Sequence, residues 1–490
     1  MFSNLPLPVP YLDRPPALID IRVGRQLFVD DFLLEQNGLV RRFHCAKKRP
    51  LPVLQPTTPW EQATLPCAAP KSGGVFFDER EGLYKMWYEA GWLHRIAYAY
   101  SADGLDWTRP RLDIDPGTNL ILPGLRPDST TVWLDADSAD PRQRYKAFLR
   151  GPGGTMPGVC LVSADGVHFE RATATSDLGD RSTIFYNPFR KKWVYSIRSF
   201  DGRRNRHYRE CDDFLQGAVW GRDEELGWLR PDCLDLPEEA IGFEPQLYNL
   251  DAVGYESLLL GLYQNHLGPE NDACERGGFP KLTELQLAFS RDGFHFSRPV
   301  RDQAFLPAAR QAGAWDRGYV QSVGGVCLIH GDELWFYYIG FAGDESNRNP
   351  DWTLNGMYSG ACTGLATLRR DGFASLEAAQ RPAALLTRPL VCESRPFLYV
   401  NAAIAPEGWL RAEVQDAQGH PLEGYGLDDC LPLQGDGCQL RLSWKGHPEL
   451  HLGETPFRLR FALKSASLYA FWLGDEGGES HGAHAAGRTR

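Results

Sequence analysis

At 490 residues the chain exceeds what one ordinary core needs, and a hydrophobic content of 43% with 12% aromatic is that of a globular protein. A formal net charge of -11 without any Lys/Arg-rich run argues against a nucleic-acid or anionic-membrane partner, and no apolar run reaches the roughly 20 residues of a transmembrane helix. The 11 cysteines are odd in number and lack C-x-x-C pairs, which favours reduced thiols and a cytoplasmic setting over a disulfide framework or a zinc site.

The first residues, "MFSNLPLPVPYLDRPP", have neither a basic n-region nor an unbroken apolar core and do not read as a signal peptide. "GRQLFVDDFLLEQ" (24–36) reads as a strand, placed to close a ring by pairing with the last blade. A phrase then recurs: "SADGLDW" (101–107), "SADGVHF" (163–169), "SRDGFHF" (290–296), a worn "RRDGFAS" (369–375), and "ECDDFLQ" (210–216), which keeps the acid without the glycine. Asp-Gly between β-prone residues is a hairpin signal, because glycine accepts a positive φ. Upstream of each phrase stands a pair of strands, as in "GGVFFDEREGLYKMWYEA" and "STIFYNPFRKKWVYSIR". Five such units predict an all-β fold, a five-bladed β-propeller over residues 1–385. From 386 to 473 the pattern changes to dense period-two alternation, which predicts a C-terminal β-sandwich. The Gly-, Ala- and charge-rich tail 474–490 is expected to be disordered.

Aligning the blades on the turn that ends each first strand (Asp78, Asp135, Asn187, Asp251) and counting back seven gives Lys71, Asp128, Asp180 and Glu244. The fifth equivalent falls near Gln321 or Ser322. Innermost strands line the central channel, so these positions converge on one mouth. Carboxylates at three adjoining blades repel one another, a cost that points to function. The bland alternative is a solvated acid at each strand start, or one acid paired with Lys71 or Arg181. The loops between second and third strands reach the same mouth and offer Glu89, Trp92, Arg150, Arg198, His266 and Trp352 as sugar-binding candidates. "AWDRGYVQS" (314–322) adds Asp316 and Arg317, as substrate ligands or as a rim ion pair.

A five-bladed propeller with this acid trio on successive inner strands resembles glycoside hydrolase families 32, 43 and 68, and the repeated S-x-D-G-x-x-W/F phrase, "LFVDD" (27–31) and "YKMWY" (84–88) resemble bacterial family-32/43-like proteins, over about residues 24–473. The resemblance implies a carbohydrate substrate, a small oligosaccharide or a furanoside such as a fructoside or arabinoside. It also implies Asp128 as base or nucleophile, Asp180 as the residue that tunes or holds the sugar, and Glu244 as general acid. The chain departs from it in lacking a "WMNDPNG"-like segment, in reading "GFEPQ" around Glu244, and in placing the trio in blades two to four. A glycoside phosphorylase or transglycosylase on the same scaffold, with Lys71, Arg181 and Arg317 as phosphate ligands, is one alternative. A non-catalytic carbohydrate-binding propeller is another. No motif for a nucleotide, haem, flavin or zinc is present, so no cofactor is expected.

Overall fold

The computed structural model describes residues 4–393, 395–452 and 455–489. Five sheets built from consecutive stretches of chain form the blades of a propeller. The inner strands are Val75–Asp78, Ser129–Leu134, Thr183–Asn187, Gln246–Glu256 and Gly318–Ser322, the last continued by Leu328–His330. Neighbouring inner strands are tied across the channel: Val132 N donates to Gly73 O at 2.6 Å, Thr183 Oγ1 to Leu250 O at 3.4 Å, and Val75 N to Gly324 O at 3.0 Å.

The recurring phrase is a turn with its own chemistry. In "SADG", Ser101 Oγ accepts from Gly104 N at 2.9 Å, and Asp103 accepts from the amides of Leu105 and Asp106 at 2.8 and 2.9 Å. Ser163/Asp165/Gly166 and Ser290/Asp292/Gly293 repeat the pattern. Each turn also docks on the preceding blade. Tyr337 donates to Gly104 O at 2.7 Å and Trp87 to Gly166 O at 2.6 Å. A Cβ on Gly166, at φ +82°, would lie 2.8 Å from the Trp87 ring, so the glycine is required by both conformation and proximity.

Three expectations are corrected. The segment 24–36 does not close the ring. Gln26–Leu27 pairs with Phe457–Gly474 and Leu34–Asn37 with Ala383–Thr387, because Phe28, Leu33 and Leu34 belong to the core of the second unit. The ring is closed instead by Lys47–Lys48 on the outer edge of Ala361–Arg369. The second unit is one ten-stranded sheet that begins before residue 386, at Ala374–Ala378, and recruits the N-terminal strands from Ile19 to Phe43. Its two long strands, Phe397–Asp416 and Phe457–Gly474, offer more edge than residues 386–473 alone can satisfy.

The tail is not disordered over its described residues. Ala483–His484 pairs with Tyr255–Glu256, Arg488–Thr489 with Ile329–His330, and Phe77 N donates to Ala486 O at 3.0 Å. The small residues that suggested disorder are what let it enter the far end of the channel. A Cβ on Gly482 would stand 2.0 Å from Glu256 Oε2, and one on Gly487 2.5 Å from Phe77 O.

Blades one and two share a buried strut. Asp78 accepts from Arg144 through both oxygens at 2.7 Å and from the Tyr145 hydroxyl at 2.6 Å, with Lys85 Nζ at 3.1 Å. Burial alone would raise the Asp78 pKa, but the hydrogen bonds from Arg144 and Tyr145 and the Lys85 charge outweigh it and hold it well below its ordinary 3.8. Asp78→Asn is expected to cost about 3 kcal/mol at neutral pH. A group with a depressed folded pKa stabilises above its unfolded value, so the deficit should narrow as the pH falls below 3.8 and wild type loses the same contribution. Denaturant unfolding of both proteins at neutral and acid pH measures it.

Candidate active site

Three inner strands begin with a left-handed residue at the mouth opposite the tail: Ser72, Arg181 and Tyr319 have φ of 60°, 59° and 51°. These kinks cost energy and mark a site where the backbone is re-aimed. Beneath them lies a polar floor. Asp251 accepts from Ser72, Ser322 and Asn249 at 3.0, 2.6 and 3.1 Å, and Arg181 donates to Gln321 Oε1.

Above this floor opens a cavity of about 500 Å³. Asp128 and Asp180 line it, as the register implies. Asp128 is gripped from behind by Arg150 at 3.2 Å and Lys71 at 3.7 Å. Asp180 meets Arg198 at 3.1 Å. Lys71 also lies 3.2 Å from Glu89 and 3.9 Å over the Trp92 ring. Trp92 lies between Lys71 and Tyr358, on which it stacks at 4.4 Å and 11°, and Trp352, edge-on to Tyr358 at 6.2 Å and 40% exposed, is the ring of this wall left open.

Glu244 is the principal correction. Its side chain is 69% exposed, lies 3.6 Å from Arg203, and does not line the cavity. The alignment fails because Asp251 is not a turn. The fourth inner strand runs eleven residues, Gln246–Glu256, and its hairpin turns at Glu256–Ser257. Seven back from Glu256 is Asn249, and a bulge between Leu247 and Asn249 turns Tyr248 into the cavity instead. On the fifth blade the irregularity between Gly318 and Gln321 likewise presents Tyr319, while Gln321 is buried in the floor.

Other candidates divide. Trp92, Arg198 and Trp352 line the cavity; Lys71, Glu89 and Arg150 are buried behind Asp128, and Arg181 is buried in the floor. His266 is fully buried behind Tyr248, ring centroids 5.9 Å apart. Asp316 pairs with Lys48 at 2.5 Å at the ring closure and Arg317 with Glu345 at 2.6 Å, so neither reaches the cavity. Both serve the scaffold, because the ring-closing strand and the fifth-blade loop bring those partners to them.

The residues missed are Arg204, Tyr248, Asn271, Glu275, Lys281, Tyr319 and Tyr358. Most lie on the long second-to-third-strand loops. The fourth-blade loop folds into a short helix, Asn271–Gly277, braced by the fifth-blade loop: Asn355 donates to Glu275 O at 3.0 Å, and Asp344 N to Gly278 O at 3.0 Å. This brace sets Glu275 on the cavity wall as its third carboxylate. Among the described residues Glu275 forms no ion pair, and no cluster of His, Cys, Asp and Glu suits a metal ion.

No protein-family model matches the chain, and no curated protein sequence matches it. Among solved structures it is similar to a family 32 β-fructofuranosidase of Bombyx mori (12% identity, 87% of this chain and 95% of that one, TM-score 0.39). It is similar also to a family 43 arabinoxylan arabinofuranohydrolase of Bacillus subtilis (10%, 83% and 96%, TM-score 0.36). A third is an endo-arabinase of Bacteroides thetaiotaomicron (10%, 63% and 96%, TM-score 0.38).

Burial holds the Glu89 pKa above its ordinary 4.5, against the opposing charge of Lys71. Lys71→Met leaves that carboxylate buried without its cation and is expected to cost about 3 kcal/mol at neutral pH. A carboxylate with a raised folded pKa destabilises as the pH rises through that value, so the deficit should shrink as the pH is lowered toward 4.5. Thermal unfolding across the pH range checks the sign.

Proposed function

We propose that the protein is a glycoside hydrolase. The observation that carries this reading is the placement of Asp128, Asp180 and Glu275 around one cavity walled by Trp92, Tyr358 and Trp352. The exposed Trp352 ring suits the apolar face of a sugar. Paired carboxylates suit glycosidic cleavage, in which the leaving oxygen needs a proton while the anomeric carbon needs an activated water or a carboxylate. Asp128, ion-paired with Arg150 and Lys71, serves as that carboxylate. Glu275, which lines the cavity without an ion-pair partner among the described residues, replaces Glu244 as the general acid. Asp180, oriented by Arg198, holds the sugar. A small oligosaccharide or a furanoside, such as a fructoside or arabinoside, remains the substrate class to try first.

A panel of aryl and alkyl α- and β-glycosides, furanosides among them, tests this. Glu275→Gln should lose about 10²- to 10⁴-fold on alkyl glycosides. It should lose far less on a dinitrophenyl glycoside, whose leaving group needs no proton. Asp128→Asn should lose both substrates alike, and Glu244→Gln should keep wild-type rates. Undiminished alkyl-glycoside cleavage by Glu275→Gln removes it as the acid; no cleavage across the panel removes the hydrolase reading.

A further inference from the structure

Two cations face this cavity with no carboxylate to meet them. Lys281 is 1% exposed, and its ammonium lies 4.9, 5.2 and 5.7 Å from the ring centres of Tyr319, Tyr248 and Tyr358. Arg204 lies 5.2 Å from the Tyr248 ring and donates to Gln246 Oε1 at 2.7 Å. Among the described residues neither forms an ion pair, and both line the cavity. The other cations at this mouth are matched: Arg150 and Lys71 to Asp128, Arg198 to Asp180. With those pairs set aside, Lys281 and Arg204 stand against Glu275 alone.

A buried ammonium without a counter-ion is costly, and ring faces return only part of the cost. The surrounding groups respond to the uncompensated charge. Burial, then Lys281 and Arg204, hold the His266 pKa well below its ordinary value, so the imidazole adds no further charge. Burial would raise the Tyr248 phenol, yet Lys281 and Arg204 draw it below its ordinary value. The corner is positive, concave and open to a ligand.

We propose that Lys281 and Arg204 form an oxyanion subsite and that the sugar taken here is acidic, a uronic acid whose carboxylate seats against them. The inference rests on the reading that the cavity takes a sugar. Inorganic phosphate carries the same chemistry. A carboxylate fits better because Asp180 and Glu275 line the same cavity, so a dianion meets more repulsion there than a monoanion.

Calorimetric titration of the intact protein with glucuronate, galacturonate, their methyl esters and inorganic phosphate tests this, with Lys281→Met and Arg204→Gln alongside. At least one uronate should bind tenfold or more tightly than its ester. Lys281→Met should weaken that binding about 30-fold. Its melting temperature should stay level or rise, since a buried unpaired charge has been removed. Phosphate binding lost in Lys281→Met, with no preference for uronate over ester, keeps the oxyanion subsite and overturns the acidic sugar. Uronates binding no better than their esters with phosphate not binding, or binding unchanged in both variants, overturns the proposal. Neutral glycosides cleaved in that case leave the hydrolase reading standing. Uronate binding by a protein that cleaves no glycoside or glycosiduronate removes that reading and keeps the subsite.

Discussion

The buried carboxylate of Asp251 is the fixed point of the molecule. It lies at the centre of the channel and takes hydrogen bonds from Ser72, Ser322 and Asn249, which belong to the first, fifth and fourth blades. Arg181 of the third blade reaches Gln321 of the fifth across the same level. A buried polar network of this kind specifies geometry, because any slip of one blade would leave a desolvated donor or acceptor unmatched. With the C-terminal tail filling the opposite end, the channel becomes a blind cavity with a hydrogen-bonded floor.

Above that floor the charges fall into matched pairs and unmatched groups. The first three blades supply carboxylates with matched cations: Asp128 with Lys71 and Arg150, Asp180 with Arg198. The fourth-blade loop supplies an unmatched carboxylate, Glu275, and an unmatched cation, Lys281, and the third blade adds the unmatched Arg204 beside Tyr248. Matched pairs hold orientation through a catalytic cycle, whereas unmatched groups are those that a ligand or a transferred proton can satisfy. The two long loops are braced on each other through Asn355 and the Gly278 carbonyl, which fixes the helix carrying Glu275 at the cavity wall.

Much of this was legible in the sequence where the chemistry is local. The S-x-D-G turns announced the blades because serine, aspartate and glycine each perform their task within four residues. The count of seven back from the turn found Lys71, Asp128 and Asp180 because those three inner strands end in turns at the same distance. It failed at Glu244 because Asp251, which reads as a turn acid, is an interior strand residue whose partners come from other blades. The tail escaped for a related reason: glycine and alanine suggest disorder unless a narrow channel, invisible in the sequence, demands them. Lys281, Arg204 and Glu275 lie at or beside the loops between second and third strands, but which side chains turn inward depends on loop-to-loop contacts that no periodicity encodes.

The central claim is that this mouth, and no other surface, takes a sugar beside Asp128, Asp180 and Glu275. A crystal structure of the Asp128→Asn protein soaked with an oligosaccharide tests it most directly. The account predicts a ring against the exposed Trp352, with the glycosidic oxygen within hydrogen-bonding reach of Glu275. A sugar bound elsewhere, beside Glu244 on the outer surface or in a groove of the second unit, would contradict it.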